Sequence, residues 1–252
     1  MTLLPHHAKS WGMSVTLESY LRRRAERSGE AHRNFCYTCR RPHVGCYCPS
    51  VRPFASTPSF LILMHPHEVK KTIGTGRMAS QCLSNSTLWI GPDFATDPRV
   101  VALLADPSVY PVLLYPGPTS QNLSRLAPAE RPSVFPRDGR RPVVIVLDAT
   151  WNNAKKMLYH SPNLQKIPRI GFDTPHLSKF LLRKQPRDEC FSSIEAIHHV
   201  LELLGDPGRD HLMEVFEGMV NKQLTYQKSQ KRNSRHRINY FKRKGLELEA
   251  LP

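Results

Sequence analysis

The feature of this sequence that most constrains its fold is a series of short, uninterrupted apolar runs. They lie at Ser59–Met64, Thr87–Ile90, 112–115 and 143–147. A strand is apolar at every position, and not only at alternate ones, when both faces of its sheet are covered, as in parallel sheets. Helical stretches such as Pro98–Ala105 and 152–158 separate the runs. The sequence therefore predicts an α/β fold with a buried, mostly parallel sheet.

Length and turn residues organise the rest of the chain. The 252 residues are enough for one ordinary α/β domain and a small appendage. Residues 117–142 carry five prolines, which favour an irregular surface connection over regular structure. Two helices are predicted near the end, at Ser193–Leu204 and at 209–233, because Gly205 and Pro207 interrupt the helical pattern between them.

Four of the six cysteines are clustered within thirteen residues. They are Cys36, Cys39, Cys46 and Cys48. Four thiols are the number and type of ligands that a closed, tetrahedral zinc site uses, so we predict a structural zinc. The alternatives are a thiol redox pair or buried free thiols, since a disulfide framework is not expected in a reducing compartment. Cys82 and Cys190 stand alone and are predicted to be packing residues.

The chain is strongly basic. Its 36 lysines and arginines against 21 acids give a formal net charge of +15, which favours a polyanion, and nucleic acid first, as partner. The longest apolar run, 143–147, is far shorter than the roughly 20 residues that a membrane-spanning helix needs. The N-terminus lacks the apolar segment of a secretory signal. We predict a protein that is not secreted, does not cross a membrane and is cytoplasmic, nuclear or both.

The best-placed acid follows the last apolar run. Asp148 comes at the carboxyl end of that run and just before a predicted helix, where open α/β sheets bind ligands. The alternative is structural, because Asp148 or Thr150 could cap the helix. A second helix start, at Ser193–Leu204, has hydroxyls and Glu195 in its first turn, which indicate either helix capping or a second set of functional groups.

Other short segments offer groups that bind phosphate. Gly76 permits close backbone approach and Arg77 supplies a guanidinium, while Arg183 and Lys184 lie beside a proline-stiffened turn. His65 follows the first apolar run. We expect it to contact phosphate or nothing, since the histidines and the acid there lack a further metal ligand at a compatible spacing.

These motifs occur in an order that closely resembles a known family. After the cysteines come His65-Pro66-x-Glu68, Thr75-Gly76-Arg77, Tyr115-Pro116-Gly117, Leu147-Asp148-x-Thr150-Trp151, and Leu182-Arg183-Lys184 followed by Ser193-x-Glu195-Ala196. Over residues 34–204 the chain resembles the DTW-domain family of tRNA-uridine aminocarboxypropyltransferases. One position departs from the family pattern, because Ala149 stands where glycine is usual. We expect the turn there not to require a positive φ.

The resemblance implies an enzyme that transfers the 3-amino-3-carboxypropyl group of S-adenosylmethionine to N3 of a tRNA uridine, forming acp3U and methylthioadenosine. It also implies a SPOUT-like, knotted sheet with Asp148 in a catalytic role, as a base or as an anchor for S-adenosylmethionine. The residues expected to bind S-adenosylmethionine are Tyr115, Pro116, Gly117, Asp148, Thr150, Trp151, Ser193 and Glu195. Those expected to bind tRNA are His65, Arg77, Arg183, Lys184, Lys231, Arg232 and Arg235.

Two alternatives remain, a SPOUT-type RNA methyltransferase with the same co-substrate and a zinc-containing RNA-binding module without catalysis. The predicted division of the chain is the same for the transferase and for both alternatives. It comprises a basic helical extension (1–33), a zinc knuckle (34–54), a DTW α/β catalytic domain (55–220) and a basic C-terminal helix or tail (221–252).

Overall fold

The structure is a computed structural model, and the residues it describes are 35–173, 177–182 and 190–229, with side chains only as far as Tyr226. The predicted extension at 1–33 and residues 230–252 of the predicted tail lie outside these ranges. So do five residues predicted to bind tRNA, namely Arg183, Lys184, Lys231, Arg232 and Arg235. Within the ranges, no helix is long and apolar enough to cross a membrane.

Two antiparallel strands in the knuckle precede a six-stranded parallel sheet. The knuckle strands are β1 (Phe35–Cys36) and β2 (Arg41–Pro42). The sheet contains β3 (Ser59–Met64), β4 (Thr87–Ile90), β5 (Val109–Leu114), β6 (Ser120–Asn122), β7 (Arg141–Asp148) and β8 (Arg169–Gly171), in the order β4-β3-β7-β5-β8-β6. Every residue of β3 is buried, as expected of a strand covered on both faces. The predicted α/β class is confirmed, and the knotted SPOUT-like connection stays a prediction.

The described residues also form seven α-helices. They are α1 (Pro66–Val69), α2 (Thr75–Cys82), α3 (Pro98–Ala105), α4 (Trp151–Tyr159), α5 (Pro162–Gln165), α6 (Ser193–Leu204) and α7 (Asp210–Ser229). Short 3-10 helices lie at His43–Gly45, Cys48–Ser50, Leu123–Arg125 and Arg131–Val134. Local sequence sets several ends: Asp97 caps α3 ahead of a proline, and Gly205, with φ of 77°, closes α6.

The strands alternate their side chains between two cores. Phe60 and Val144 pack under α2, α6 and α7, whereas Leu61 and Ile145 pack under α3, α4 and α5. Because all six strands are parallel, the carboxyl ends of β3, β5, β7 and β8 meet at one edge of the sheet. That edge lies between the two helical layers, where loops are free to form a site.

The prediction that 117–142 has no regular structure was wrong for two 3-10 helices, for residues 141–142, where β7 begins, and for Ser120–Asn122. These three residues pair with β8 at the edge of the sheet. None of the three is a proline, so each keeps the backbone N–H group that a strand needs for pairing, although Pro118 and Pro128 lie on either side. The strand β8 was also not predicted, because three residues without an apolar run give no periodic signal.

Candidate active site and metal centre

The four clustered cysteines meet in space. Their sulfur atoms all lie within 4.8 Å of one another, with 3.7 Å between Cys36 and Cys48 and 3.6 Å between Cys39 and Cys46. Zinc bound tetrahedrally at about 2.3 Å from each sulfur requires sulfurs about 3.8 Å apart. The backbone near Cys39 lowers the pKa of the Cys36 thiol to about 6, whereas burial raises the pKa of the Cys39 and Cys48 thiols, so a bound cation would be needed to hold all four as thiolates. The cluster therefore fits a four-coordinate metal such as zinc.

Arg41 anchors the knuckle to the last helix and is only 3% exposed. Its Nε donates to the Gly45 carbonyl at 2.7 Å, and its terminal nitrogens donate to Met219 Sδ at 3.4 Å and Gln223 Oε1 at 2.8 Å. A buried guanidinium is costly unless its N–H groups are bonded, so this network holds the ligand loop against α7. The metal site is thus packed into the same structure as the sheet.

Arg77 joins the knuckle to the carboxyl edge of the sheet. Its guanidinium donates to the carbonyls of Cys39 at 3.5 Å and Val69 at 3.2 Å, while Gln81 on the same helix donates to the Thr38 carbonyl. Arg77 was predicted to contact tRNA phosphate. Its contacts in the described residues are internal, so the phosphate role stays a prediction.

A cavity of about 590 Å³ opens at the carboxyl ends of β5, β7 and β8. Four of its lining residues were predicted as site residues. They are Tyr115, Pro116, Trp151 and Ser193. The loop after β5 supplies Tyr115 and Pro116, and the first residues of α4 and α6 supply Trp151 and Ser193. The topology therefore brings together motifs that lie up to 78 positions apart in the chain.

Aromatic rings form much of the cavity wall. The ring centroids of Tyr115 and Trp151 are 6.1 Å apart, and those of Phe172 and Phe191 are 5.9 Å apart. The Arg169 guanidinium lies 5.9 Å from the Tyr115 centroid. Such a wall suits a flat heterocycle that stacks or packs edge-on.

Among the described residues that line the cavity, one is charged. Lys155 lies one helical turn after Trp151, and both line the cavity from α4. The remaining polar side chains there are hydroxyls, an amide and the Cys190 thiol. Lys155 is therefore available to pair with an anionic group of a ligand.

Asp148 lies beside the cavity but is not among the described residues that line it. It is 4% exposed, and its Oδ1 accepts a hydrogen bond from the Ser193 hydroxyl. Its Oδ2 has no partner in the described part of the chain. Burial raises the pKa of the Asp148 carboxyl to about 6, and the Ser193 hydrogen bond opposes the rise. Asp148 is thus an acid that changes its charge near neutral pH.

Gly76 explains how α2 approaches this carboxyl group. A Cβ at Gly76 would lie 2.4 Å from Asp148 Cγ and 2.5 Å from its Oδ2. Any side chain there would displace the carboxyl group or the helix. The glycine predicted to allow close approach to phosphate therefore allows close approach to Asp148.

Capping accounts for two of the predicted site residues. Thr150 is the N-cap of α4 and accepts a hydrogen bond from the Asn153 N–H. Glu195 forms a capping box with Ser192, and its carboxylate also accepts hydrogen bonds from the Ser178 hydroxyl and the Lys179 N–H. Asp148 does not cap α4. Neither Thr150 nor Glu195 is among the described residues that line the cavity.

The other predicted residues lie close by. Gly117 follows the cavity-lining Pro116, and a Cβ on it would be 3.9 Å from the Arg169 side chain. The backbone N–H of His65 donates to the Asp148 carbonyl at 3.0 Å, and its Nδ1 accepts the His67 N–H at 3.2 Å. Burial lowers the pKa of His65 and thereby favours the neutral ring. Because Nδ1 accepts the His67 N–H, the proton of the neutral ring lies on Nε2, from which it can donate.

At Ala149, the expectation of an unstrained turn is confirmed. Among the described non-glycine residues, only Arg40 has a positive φ. The alanine therefore adopts a backbone conformation open to any L-residue, and it lines the cavity.

Sequence reasoning missed several residues of the cavity wall. They are Asn152, Lys155, Phe172, Phe180, Cys190 and Phe191. Helical spacing from Trp151 could have found Lys155, since residues four apart share a face. The phenylalanines lie outside helices and strands and carry no periodic signal. Cys190, predicted to be a packing residue, is part of this wall, whereas Cys82 is fully buried as predicted.

Comparison with known proteins adds independent information. A family model described as DTW domain matches residues 33–224. The chain is similar to tRNA-uridine aminocarboxypropyltransferase 2 of Mus musculus, at 27% identity over 248 residues, 96% of this chain and 76% of the relative.

The similarity extends to an insect and a plant. The enzyme of the same name from Drosophila melanogaster is 27% identical over 179 residues, covering 68% of this chain and 67% of the relative. tRNA-uridine aminocarboxypropyltransferase A of Arabidopsis thaliana is 26% identical over 245 residues, covering 86% and 89%. No solved structure matches.

Proposed function

Since the chain belongs to the DTW domain family, we propose that it modifies tRNA by transferring the 3-amino-3-carboxypropyl group of S-adenosylmethionine to N3 of a uridine. Methylthioadenosine is the second product. Relatives named as tRNA-uridine aminocarboxypropyltransferases from two animals and a plant support the reaction class, because the similarity covers 96% of this chain in one case and 86% in another.

The observation that carries the proposal is the cavity at the carboxyl edge of the sheet. Tyr115, Trp151 and Ser193, which come from three different family motifs, line one space next to the buried Asp148. A single binding function accounts for this convergence better than three separate packing roles. The aromatic wall suits an adenine or a uracil ring.

Within this proposal, S-adenosylmethionine occupies the cavity beside Tyr115, Pro116 and Trp151. Gly117 and Thr150 shape the two loops that carry these side chains, and Glu195 holds the start of α6 in position. Lys155 is the candidate partner for the carboxylate of the aminocarboxypropyl group, as the one charged residue among the described cavity-lining residues. Positioning decides the product, since the side-chain methylene and not the methyl group must face N3.

Asp148 supplies the base in the proposed reaction. Uridine N3 is a poor nucleophile while it is protonated, so a nearby proton acceptor accelerates attack. A pKa of Asp148 raised to about 6 by burial keeps the group ionised at pH 7 while making it a better base than an ordinary carboxylate.

For tRNA binding we propose phosphate contacts from the basic residues predicted above. His65 and Arg77 lie beside Asp148 on the α1 and α2 side of the edge. Arg183, Lys184, Lys231, Arg232 and Arg235 would add charge, with the target base turned out of its loop. The zinc of the knuckle holds the fold and takes no part in the chemistry, because four thiolates leave no open coordination position.

Incubation of the protein with tRNA and S-adenosylmethionine tests the proposal. We expect methylthioadenosine to form in step with a modified uridine heavier by one aminocarboxypropyl group, measured by mass spectrometry of digested tRNA. Adenosylhomocysteine in its place would indicate a methyltransferase. Absence of both products, with tRNA still bound, would indicate a binding module.

A further inference from the structure

We infer that Ser193 is the side chain that contacts the uridine N3–H, and that Asp148 receives the proton through the Ser193 hydroxyl. The inference rests on the proposed function and deepens it. In this inference Ser193 is a catalytic residue, and Asp148 is the final proton acceptor, which acts through Ser193.

The positions of the two side chains carry the inference. Ser193 lines the cavity, whereas Asp148 is 4% exposed and is not among the described cavity-lining residues. The Ser193 hydroxyl donates its proton to Asp148 Oδ1. A hydroxyl has one proton and two acceptor sites, so the acceptor sites of Ser193 are left for a donor in the cavity. Uridine N3–H is such a donor.

The carboxyl group of Asp148 is held in place from its other side. The Gly76 backbone packs so closely that a Cβ there would lie 2.5 Å from Asp148 Oδ2. Asp148 therefore has little room to rotate into the cavity. Among the described residues, Ser193 is the hydrogen-bond partner of this carboxyl group, which makes its hydroxyl the shortest route from the cavity to the carboxylate.

The surrounding charges permit this route. Glu68 on α1 raises the pKa of Asp148, and Lys71 and Arg77 lower it, so the charges partly cancel and burial dominates. Ser193 itself lies at the first position of α6, where the helix dipole favours a negative neighbour. Asp148 is thereby an ionised acceptor at pH 7, with a pKa raised by burial.

The proposed step balances in atoms and charge. As N3 attacks the side-chain methylene, its proton passes to Ser193 Oγ and the Ser193 proton passes to Asp148 Oδ1. The new N3–C bond replaces the C–S bond, whose electron pair stays on sulfur. The positive sulfonium becomes the neutral thioether of methylthioadenosine, and the negative carboxylate becomes neutral.

The first test needs neither substrate. Titration of the Asp148 carboxyl carbon by NMR in the full chain should give a higher pKa in Ser193→Ala than in wild type, because the lost hydrogen bond stabilises the carboxylate. Ser192→Ala is the matched control, since that hydroxyl bonds Glu195 at the same helix start and should leave the Asp148 titration unchanged. An unchanged pKa in Ser193→Ala would overturn the contact.

The second test measures transfer in a single turnover. Ser193→Ala and Asp148→Asn should each slow transfer by about 100-fold or more, and the double variant should be no slower than the worse single one, as expected when two groups act as a unit. Ser193→Thr, which keeps a hydroxyl, should recover much of the rate. Transfer by Ser193→Ala within threefold of wild type, or losses that multiply, would overturn the relay.

Binding separates the relay from other roles of Ser193. The relay replaces the expectation that Ser193 binds S-adenosylmethionine, so calorimetry should find that Ser193→Ala binds this co-substrate with nearly wild-type affinity. A loss of affinity that matches the loss of rate would overturn the relay and make Ser193 an anchor. A wild-type protein that forms no modified uridine would overturn the proposed function itself, which is a different outcome from an active Ser193→Ala.

Discussion

The knuckle and the carboxyl edge of the sheet are both built from short polar motifs, but they are assembled in opposite ways. In the knuckle, all four ligands lie within thirteen residues and two hairpin strands bring them together. At the sheet edge, the cavity draws on residues from Leu114 to Ala196 and exists only once β5, β7 and β8 are paired. The first site depends on local geometry and could hold a metal such as zinc, and the second depends on the whole sheet.

This difference makes zinc removal the change with the largest expected effect. Cys39→Ser should release the metal and lower the free energy of unfolding by roughly 4 kcal/mol or more, the range reached when a protein loses a bound metal. The effect should spread beyond the knuckle, because Cys39, Cys46 and Tyr47 belong to the same core as α6 and α7. Thermal melts and metal analysis measure both changes.

A matched control comes from the cavity. Cys190→Ser also removes one thiol but lies outside the cluster, so its zinc content should equal that of wild type. Freshly purified wild-type protein without bound metal would contradict the zinc site.

Asp148→Asn should have the next largest effect, on chemistry and not on folding. The amide keeps the size of the side chain and still accepts the Ser193 hydrogen bond, but it is no longer a base. Single-turnover transfer should fall by about 100-fold or more while the melting temperature at pH 7 does not fall. In wild type, the same rate should rise with pH through about 6 and then level off as Asp148 ionises. A folded Asp148→Asn protein with near wild-type turnover would contradict the catalytic role.

The buried acid should also leave a mark on stability. Burial raises the pKa of Asp148 from 3.8 to about 6 in the folded protein. Between these values the folded state binds more protons than the unfolded state, so the contribution of Asp148 to stability falls as pH rises from about 4 to 6. The loss is on the order of 3 kcal/mol.

Asp148→Asn removes this titration. Denaturant unfolding should therefore find the variant gaining stability relative to wild type between pH 4 and pH 7. A constant difference between the two proteins across that range would contradict the raised pKa. Other acids, such as Asp97, titrate in both proteins and cancel in the comparison.

Such contrasts explain how much could be predicted from the sequence. The zinc ligands, the strand β3, the helices α3 and α6 and the position of Asp148 follow from local patterns. The burial of Asp148 under Gly76 could not be predicted, because it depends on how α2 packs against the end of β7. Glu195 is the converse case: its capping role is local and was open to prediction, whereas its bonds to Ser178 and Lys179 come from a distant segment.

The basic tail offers a further contrast, between affinity and chemistry. Replacing Lys231, Arg232 and Arg235 together by Gln should weaken tRNA binding by about tenfold. It should also flatten the salt dependence of binding, because each lost phosphate contact reduces the number of counterions that binding releases. Single-turnover transfer at saturating protein should stay close to wild type. Filter binding across a salt series measures the slope. An unchanged slope would assign these residues to the solvated surface.

The smallest expected effect tests whether any part of the cavity is as local as the knuckle. Lys155 and Trp151 lie one turn apart on α4 and both line the cavity, so this portion of the site follows from helical spacing alone.

If Lys155 pairs with the carboxylate of S-adenosylmethionine, Lys155→Ala should raise the KM for that substrate about fivefold and leave kcat nearly unchanged. An ion pair of an exposed lysine contributes no more than about 1 kcal/mol, which corresponds to that factor. Lys156→Ala is the matched control, because Lys156 is the next residue on α4 and is not among the described cavity-lining residues. Equal KM values for the two variants would mean that the carboxylate is held elsewhere, by groups that only the assembled sheet edge brings together.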